Sequence, residues 1–161
     1  MTFLSNEDMI SQAIDQIRRG ASVEEASQDL SWKNFEDFVS YILISNGYET
    51  VTRHRVSRRA EIDIISWNGS LALVIDCKHW KKTAKYSLSN IVSKQIMRSK
   101  LLIDIQYFRG APKALIPTIV TLVEEEGQLY SGVPIVPVQK FDAFLRELEG
   151  NLESIYKIPI I

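Results

Sequence analysis

The sequence predicts a mixed α/β fold in which helices flank a central sheet. Apolar runs in the middle of the chain are typical of strands, and segments with apolar residues at helical spacing precede and follow them. Apolar residues make up 45% of the 161 positions, which is enough for one globular domain with a sizeable core. We expect this domain over residues 31–161 and a helical appendage over residues 1–30.

The appendage is predicted to contain two short helices. Residues 6–19 carry apolar side chains at helical spacing and are followed by Gly20. Ser22 and Glu25 have the spacing of a capping box, which opens a second helix. The sequence does not decide whether this appendage packs on the domain, contacts a substrate or mediates dimerisation.

The first helix of the domain is predicted over residues 32–46, with Ser31 as its N-cap and Gly47 as its left-handed terminator. At about 100° per residue, Glu36 lies at the edge of the apolar stripe and is expected to face the sheet. Asp37 points away and is expected to face water. Taken alone, Glu36 would be an ordinary carboxylate on a helix surface. The apolar stripe consists of Phe35, Phe38, Val39, Ile42 and Leu43.

A β-hairpin is predicted next, from two strand-like segments, 61–67 and 70–78, joined by Asn68-Gly69. Asn-Gly between apolar runs is a strong hairpin signal, because a type I′ turn needs positive φ at both central residues. With this turn, Glu61 would pair with Asp76.

Four charged side chains share one face of this hairpin: Glu61, Asp63, Asp76 and Lys78. Paired residues point to the same face, and so do strand residues two apart. Asp63 and Asp76 are then diagonal neighbours about 7–8 Å apart. Their carboxylates can reach a single divalent cation with oxygen ligands at about 2.0–2.6 Å.

The alternative is that these charges form the solvated face of a sheet. Both faces of the hairpin are largely apolar, however, which is typical of a central strand pair. Carboxylates at one end of such a pair are partly buried, and like charges that close are costly without a cation or a shifted pKa. We therefore expect a metal site. One face carries Ile62, Ile64, Leu73, Ile75 and Cys77, and the other carries Ile65, Trp67, Ala72 and Val74.

The remaining segments complete the sheet and its helices. We predict a helix over 88–106, a buried strand over 118–123, a strand over 133–138 and a closing helix over 139–149. The strand over 133–138 contains prolines, so it is expected at an edge of the sheet.

The helix with its inward Glu36, the strand with Asp63 and the following strand with Asp76-Cys77-Lys78 resemble the PD-(D/E)xK, or restriction-endonuclease-like, nuclease superfamily. The likeness covers residues 32–125 and is greatest to archaeal Holliday-junction-resolvase-like and Mrr-like endonucleases. Those endonucleases have recognisable counterparts of residues 46–48, 61–63 and 76–80. Asp76 departs from many relatives, which have Glu, and from Mrr-type enzymes, which commonly have Gln.

The resemblance implies an αβββαβ core and a metal-dependent DNA endonuclease. Asp63, Asp76 and the backbone carbonyl of Cys77 would hold Mg²⁺ or Mn²⁺, and Glu36 would join directly or through a water. Lys78 would orient the attacking water or stabilise charge developing on the phosphate. The alternative for Lys78 is a salt bridge to a neighbouring carboxylate. Some branches also carry a Gln followed four residues later by Tyr on the next helix; Gln95 matches the first position, whereas position 99 is Ser.

Basic residues are concentrated beside this end of the sheet, although the chain has 19 Lys+Arg against 20 Asp+Glu. Such a cluster is suited to gripping a duplex backbone, and its alternative is a solvated loop. No segment is typical of a major-groove recognition helix, so we expect recognition of backbone and shape. The residues are Arg53, Arg55, Arg58 and Arg59 before the hairpin, and Lys81, Lys82 and Lys85 after it.

Composition excludes several other classes. The single cysteine, Cys77, cannot form an intramolecular disulfide and is expected to be a small buried hydrophobe. His79 has no partner at zinc-ligand spacing. The chain has no run of about 18 apolar residues and a polar start, so we expect no membrane span, no signal peptide and a cytoplasmic location.

We therefore expect a structure- or backbone-directed DNA endonuclease that acts on junction or duplex DNA in repair, recombination or restriction. The alternative is a non-catalytic nucleic-acid-binding or assembly subunit that retains the fold. A nuclease directed at RNA would use the same residues. A homodimer is one expected arrangement, because cutting both strands calls for two sites.

Overall fold

A computed structural model of the protein describes residues 11–16, 19–21, 32–79, 87–122 and 127–160. The predicted capping box at Ser22 and the predicted N-cap at Ser31 lie outside these ranges. Residues 11–16 are helical, and Ala13 is buried in the same core cluster as Phe38. This part of the appendage therefore packs on the domain.

The sheet is mixed, as predicted. Strands lie in the order β1-β2-β3-β4-β6-β5, and β7 pairs with β4. The pairs β1–β2, β2–β3, β5–β6 and β4–β7 are antiparallel, whereas β3–β4 and β4–β6 are parallel. The strands are β1 (Glu49–Ser57), β2 (Ala60–Asn68), β3 (Leu71–Lys78), β4 (Ala114–Thr121), β5 (Gln128–Tyr130), β6 (Val133–Pro137) and β7 (Ile158–Pro159).

Helices cover both faces of the sheet. They are α1 (Trp32–Ser45), α2 (Leu88–Asp104) and α3 (Val138–Glu147), the last followed by a 3₁₀ helix (Leu148–Ser154). Phe35 of α1 and Phe141 of α3 share a core cluster on one face, while Leu102 of α2 lies in the cluster on the other. The order α1-β1-β2-β3-α2-β4 is the predicted αβββαβ core. None of the helices in the described ranges is long and apolar enough to cross a membrane.

Helix α1 ends as its sequence predicts. Gly47 has a φ of 85°, the left-handed conformation that glycine adopts without strain. The backbone N–H of Tyr48 then donates to the carbonyl of Leu43 over 3.1 Å, which is the longer bond of a Schellman motif. This termination directs the chain from α1 into β1.

The register of the hairpin differs from the prediction. Asn68 pairs with Leu71, so the turn is centred on Gly69-Ser70 and not on Asn68-Gly69. Gly69 has a φ of 61° and occupies the first central position, as glycine does in type II′ turns. The pairing is thereby shifted by two residues, and because the side-chain period of a strand is also two, no residue changes face through this shift.

Strand β3 is central, with β2 on one side and β4 on the other. Leu73 to Cys77 are all buried, as expected for a strand covered on both faces. The predicted face of Ile62 is wrong, because Ile62 packs with Ile65 and not with Ile64. The change of face occurs opposite Arg53 of β1, which has a φ of 52°. Arg53 lies between Thr52 and His54, which pair with Ile64 and Ile62 on either side of Asp63.

The predicted edge position of 133–138 is wrong. Strand β6 lies between β4 and β5, with Pro134 paired with Leu129 and Pro137 paired with Thr121. Both prolines stand near the ends of a five-residue strand, so few ladder hydrogen bonds are lost. Strand β4 also begins four residues earlier than predicted and contains Pro117.

Candidate active site

The candidate site lies where the ladder between β2 and β3 ends. Its last pair is Ile64 with Ile75, so Asp63 and Asp76 are the next residues where the strands separate. The register therefore places these two acids opposite each other, not diagonally as predicted. Opposite positions are closer than diagonal ones, which brings the carboxyls into one polar cluster.

Asp63 is a half-buried carboxyl between the two strands. Its Oδ2 accepts a hydrogen bond from the backbone N–H of Cys77 over 2.9 Å. Burial and then a hydrogen bond with Asp76 raise the pKa of the Asp63 carboxyl to about 8, against the opposing effect of the Cys77 N–H. The negative charges of Asp76 and Glu36 add to the increase in this pKa. At neutral pH the Asp63 carboxyl is therefore mostly protonated when no cation is bound.

Asp76 is buried, with 6% of its surface exposed. The Nζ of Lys78 lies 3.1 Å from Asp76 Oδ2, and the guanidinium of Arg98 lies 3.9 Å from Asp76 Oδ1. Each oxygen of the Asp76 carboxylate thus lies within 4 Å of a cationic side chain. The ion pair of Lys78 agrees both with a structural salt bridge and with a lysine held at a reacting phosphate.

Glu36 faces inward from α1, as predicted, and is 2% exposed. Burial raises the pKa of its carboxyl, while a hydrogen bond and the charge of Arg53 act in the opposite direction. The guanidinium of Arg53 lies 3.1 Å from Glu36 Oε2 and 3.2 Å from Asp37 Oδ1. The prediction that Asp37 simply faces water is therefore wrong, because β1 brings an arginine over it.

The chemistry of these residues fits a hard divalent cation. Asp63 and Asp76 offer carboxylate oxygens, the donors that Mg²⁺ and Mn²⁺ favour, and a cation between them would replace the proton on Asp63. The backbone of Cys77 lies at the same point, since its N–H bonds Asp63. Within the described ranges, no group of three or more His, Cys, Asp or Glu side chains could hold a metal ion. A metal here would need backbone, water or substrate oxygens as well.

The predicted DNA-binding arginines are arranged in two ways. Arg55 is exposed, lies 3.8 Å from Glu61 and donates to the carbonyl of Arg58 over 3.2 Å. Arg58 and Arg59 are exposed in the turn between β1 and β2. Arg53 is instead engaged with α1. Glu61 pairs across to Arg55 and does not join the aspartate pair. Three further predicted residues lie outside the part of the chain that the structure describes: Lys81, Lys82 and Lys85.

Gln95 has a structural position. It is 1% exposed, and its Nε2 donates to the backbone carbonyl of Val74 over 2.7 Å. Ser99, which stands where some relatives have Tyr, donates to the carbonyl of Gln95 over 2.8 Å. These bonds hold α2 against β3, close to the aspartates.

Cys77 and His79 lie on the core side of the same strand end. Cys77 is fully buried and free, as predicted. Burial raises the pKa of its thiol, so this sulfur is not a thiolate nucleophile at neutral pH. His79 packs edge-on against Phe35, with ring centroids 5.6 Å apart.

Two residues of the site were missed by the sequence analysis. Arg98 follows Gln95 by three residues on α2, so helical spacing puts both side chains toward β3, and that signal could have identified it. Asp37 could be assigned only by knowing that Arg53 of β1 lies beside α1, which no local pattern shows.

The chain was compared with models of known protein families, with curated proteins and with solved structures. A family model described as restriction endonuclease, Mrr_cat, matches residues 27–110, just over half of the chain. The matched range includes Glu36, Asp63, Asp76 and Lys78. A search of curated proteins and a search of solved structures each gave no match.

Proposed function

Because the chain belongs to the Mrr_cat restriction endonuclease family, we propose that it is a metal-dependent DNA endonuclease that hydrolyses phosphodiester bonds with a metal-activated water. The observation that carries the proposal is the pair formed by half-buried Asp63 and buried Asp76 beside Lys78. Two neighbouring carboxyls withdrawn from water are costly in a fold unless a ligand uses them.

The ligand set proposed for Mg²⁺ or Mn²⁺ is Asp63, Asp76 and the backbone carbonyl of Cys77, with Glu36 contributing through a water. Such a cation, when bound, polarises the scissile phosphate and lowers the pKa of a coordinated water. Asp63 and Asp76 would hold that cation in a defined place, because the Cys77 N–H fixes one carboxyl and Lys78 fixes the other.

Lys78 is proposed to act on the reacting phosphate. Its ammonium is held 3.1 Å from Asp76, so the lysine side chain would already be positioned beside the scissile phosphate when DNA binds. A positioned cation of this kind stabilises negative charge that develops in the transition state. The same position would let Lys78 orient the attacking water.

DNA is proposed to lie across the turn between β1 and β2. Arg55, Arg58 and Arg59 are exposed there and can contact phosphates, which give affinity without base sequence. The protein would therefore recognise junction or duplex DNA through backbone and shape, in repair, recombination or restriction. Cleavage of both strands would require two such sites, and hence a pair of chains.

The test is cleavage of labelled linear duplex and four-way-junction DNA with Mg²⁺, Mn²⁺ or EDTA, with single-stranded DNA and RNA as further substrates. Wild type is compared with Asp76→Ala and Lys78→Ala. Asp104→Ala and Lys113→Ala are matched controls, since both remove exposed charges of the same type elsewhere. We expect metal-dependent cutting of DNA that both site variants lose and both controls retain.

DNA binding by the wild type without cutting of any substrate in either metal would instead support a non-catalytic nucleic-acid-binding subunit. Cutting confined to RNA would show that the substrate is RNA and not DNA, and the proposed roles of the residues would stay the same. Cutting retained by Asp76→Ala would contradict the proposed site.

A further inference from the structure

We infer that Arg53 is a positioning residue that fixes the Glu36 carboxylate beside the Asp63–Asp76 pair. This inference rests on the proposed function, because it concerns the same site. It assigns Arg53 a different task from its neighbour Arg55, although both were expected to contact DNA.

The ion-pair geometry supports this assignment. One terminal nitrogen of Arg53 lies 3.1 Å from Glu36 and the other lies 3.2 Å from Asp37. The Glu36 side chain is 3% exposed and that of Arg53 is 34% exposed, whereas the Arg55 side chain is 66% exposed. A guanidinium whose two arms both pair with carboxylates at 3.1–3.2 Å is fixed in its plane, so Arg53 holds Glu36. Arg55 has only surface contacts, with the Arg58 carbonyl over 3.2 Å and with Glu61 over 3.8 Å, which a phosphate could displace.

The backbone supports it independently. Arg53 has a φ of 52° within β1, a conformation uncommon for residues other than glycine. Such a conformation persists where the surroundings determine it, and functional sites are where these residues concentrate. Its neighbours Thr52 and His54 pair with Ile64 and Ile62, which places this irregular residue across the ladder from Asp63.

The placement of these residues completes the connection. Arg53 stands across the ladder from Asp63, and its guanidinium lies 3.1 Å from Glu36 Oε2. Arg53 therefore holds the Glu36 carboxylate at the same end of β2 as the aspartate pair, where it would join a bound cation through a water. Partners that orient ligands in this way typically contribute about 10–100-fold to metal affinity or activity.

The experiment uses the full chain with Arg53→Gln, Glu36→Gln, the double variant and Arg55→Gln as the reference for a DNA contact. Mn²⁺ affinity is measured by calorimetry without DNA, DNA affinity by anisotropy in EDTA, and kcat separately from KM. We expect Arg53→Gln to weaken Mn²⁺ binding or lower kcat by about tenfold or more. We expect its DNA affinity to fall less than that of Arg55→Gln, and its effect to vanish in the Glu36→Gln background.

Arg53→Gly serves where Arg53→Gln does not fold, because glycine accepts the observed φ without strain. An unchanged Mn²⁺ affinity and kcat, with a loss of DNA affinity like that of Arg55→Gln, would overturn the inference. Additive effects of Arg53→Gln and Glu36→Gln would do the same.

The outcomes also separate this inference from the proposed function. If Arg53→Gln binds Mn²⁺ more weakly than wild type but the wild type cuts no substrate, the positioning role stands and the nuclease activity is rejected. Cutting that depends on Asp76 but not on Arg53 would reject the positioning role alone. No Mn²⁺ binding by the wild type would reject both.

Discussion

Replacing Asp63 with Asn is expected to stabilise the metal-free protein, and the gain should grow as the pH rises. The fold raises the pKa of this carboxyl from 3.8 to about 8. Between those values the native state holds more protons than the unfolded state, so wild-type stability falls as pH increases. Asparagine does not titrate. Its side-chain oxygen can still accept from the Cys77 N–H, and its amide can donate to Asp76 as the protonated acid does.

The size of the effect follows from the same pKa. Each pH unit within the window lowers wild-type stability by up to ~1.4 kcal/mol, or ~4 kcal/mol between pH 3.8 and 7. Asp63 is only half-buried, and water screens its charge, so we take half of this, ~2 kcal/mol at pH 7. In a chain of 161 residues, that corresponds to a rise in Tm of roughly 4–8 °C.

The assay is thermal unfolding of wild type and Asp63→Asn in EDTA at several pH values between 5 and 8, repeated with Mn²⁺. The difference in Tm should widen with pH in EDTA and shrink with Mn²⁺, because the cation stabilises the ionised aspartate pair of the wild type. A difference that does not vary with pH would refute the argument that burial and the neighbouring Asp76 raise the pKa of Asp63. So would a variant that is less stable than wild type at pH 8 in EDTA.

Three other substitutions test separate parts of the molecule. Lys78→Ala should lower the single-turnover cleavage rate by about 10²–10³-fold with little change in DNA affinity; a change in affinity alone would argue against transition-state stabilisation. Gln95→Leu removes the amide that joins α2 to β3 and should cost about 1–3 kcal/mol in urea unfolding; an unchanged midpoint would contradict this. Gly132→Ala should destabilise more than Gly110→Ala, because both have positive φ but only at Gly132 would a Cβ lie 3.0 Å from the backbone N of Tyr156. Equal unfolding midpoints for the two variants would show that the backbone near Tyr156 moves enough to accommodate the added Cβ.

Much of the fold could be predicted because buried positions carry apolar residues, either at the spacing of a helix or in a continuous run along a central strand. The continuous apolar run of β3 identified a strand covered on both faces, and the charged residues that interrupt it then stood out. The face shared by Asp63 and Asp76 was predictable even with the wrong turn, since a shift of two residues preserves side-chain direction. Gly47 similarly marked the end of α1.

The remaining features depend on contacts between distant segments. Both Asn68-Gly69 and Gly69-Ser70 can form a two-residue turn, and the choice between them depends on packing along the whole ladder. The central place of β6 depends on strand order, about which prolines in a short strand are a poor guide. The contact between Arg53 and Asp37 joins β1 to α1 through an irregular backbone angle, which no spacing rule predicts.

Cys77 has a practical consequence for experiments on this protein. It is the single cysteine of the chain, and it is fully buried, so thiol reagents that require solvent access should not modify the native protein. A cysteine placed at exposed Arg58 would then be the one reactive thiol in the folded chain. A fluorophore attached there would test whether DNA approaches the turn between β1 and β2, as proposed, and no cysteine-free background would be needed.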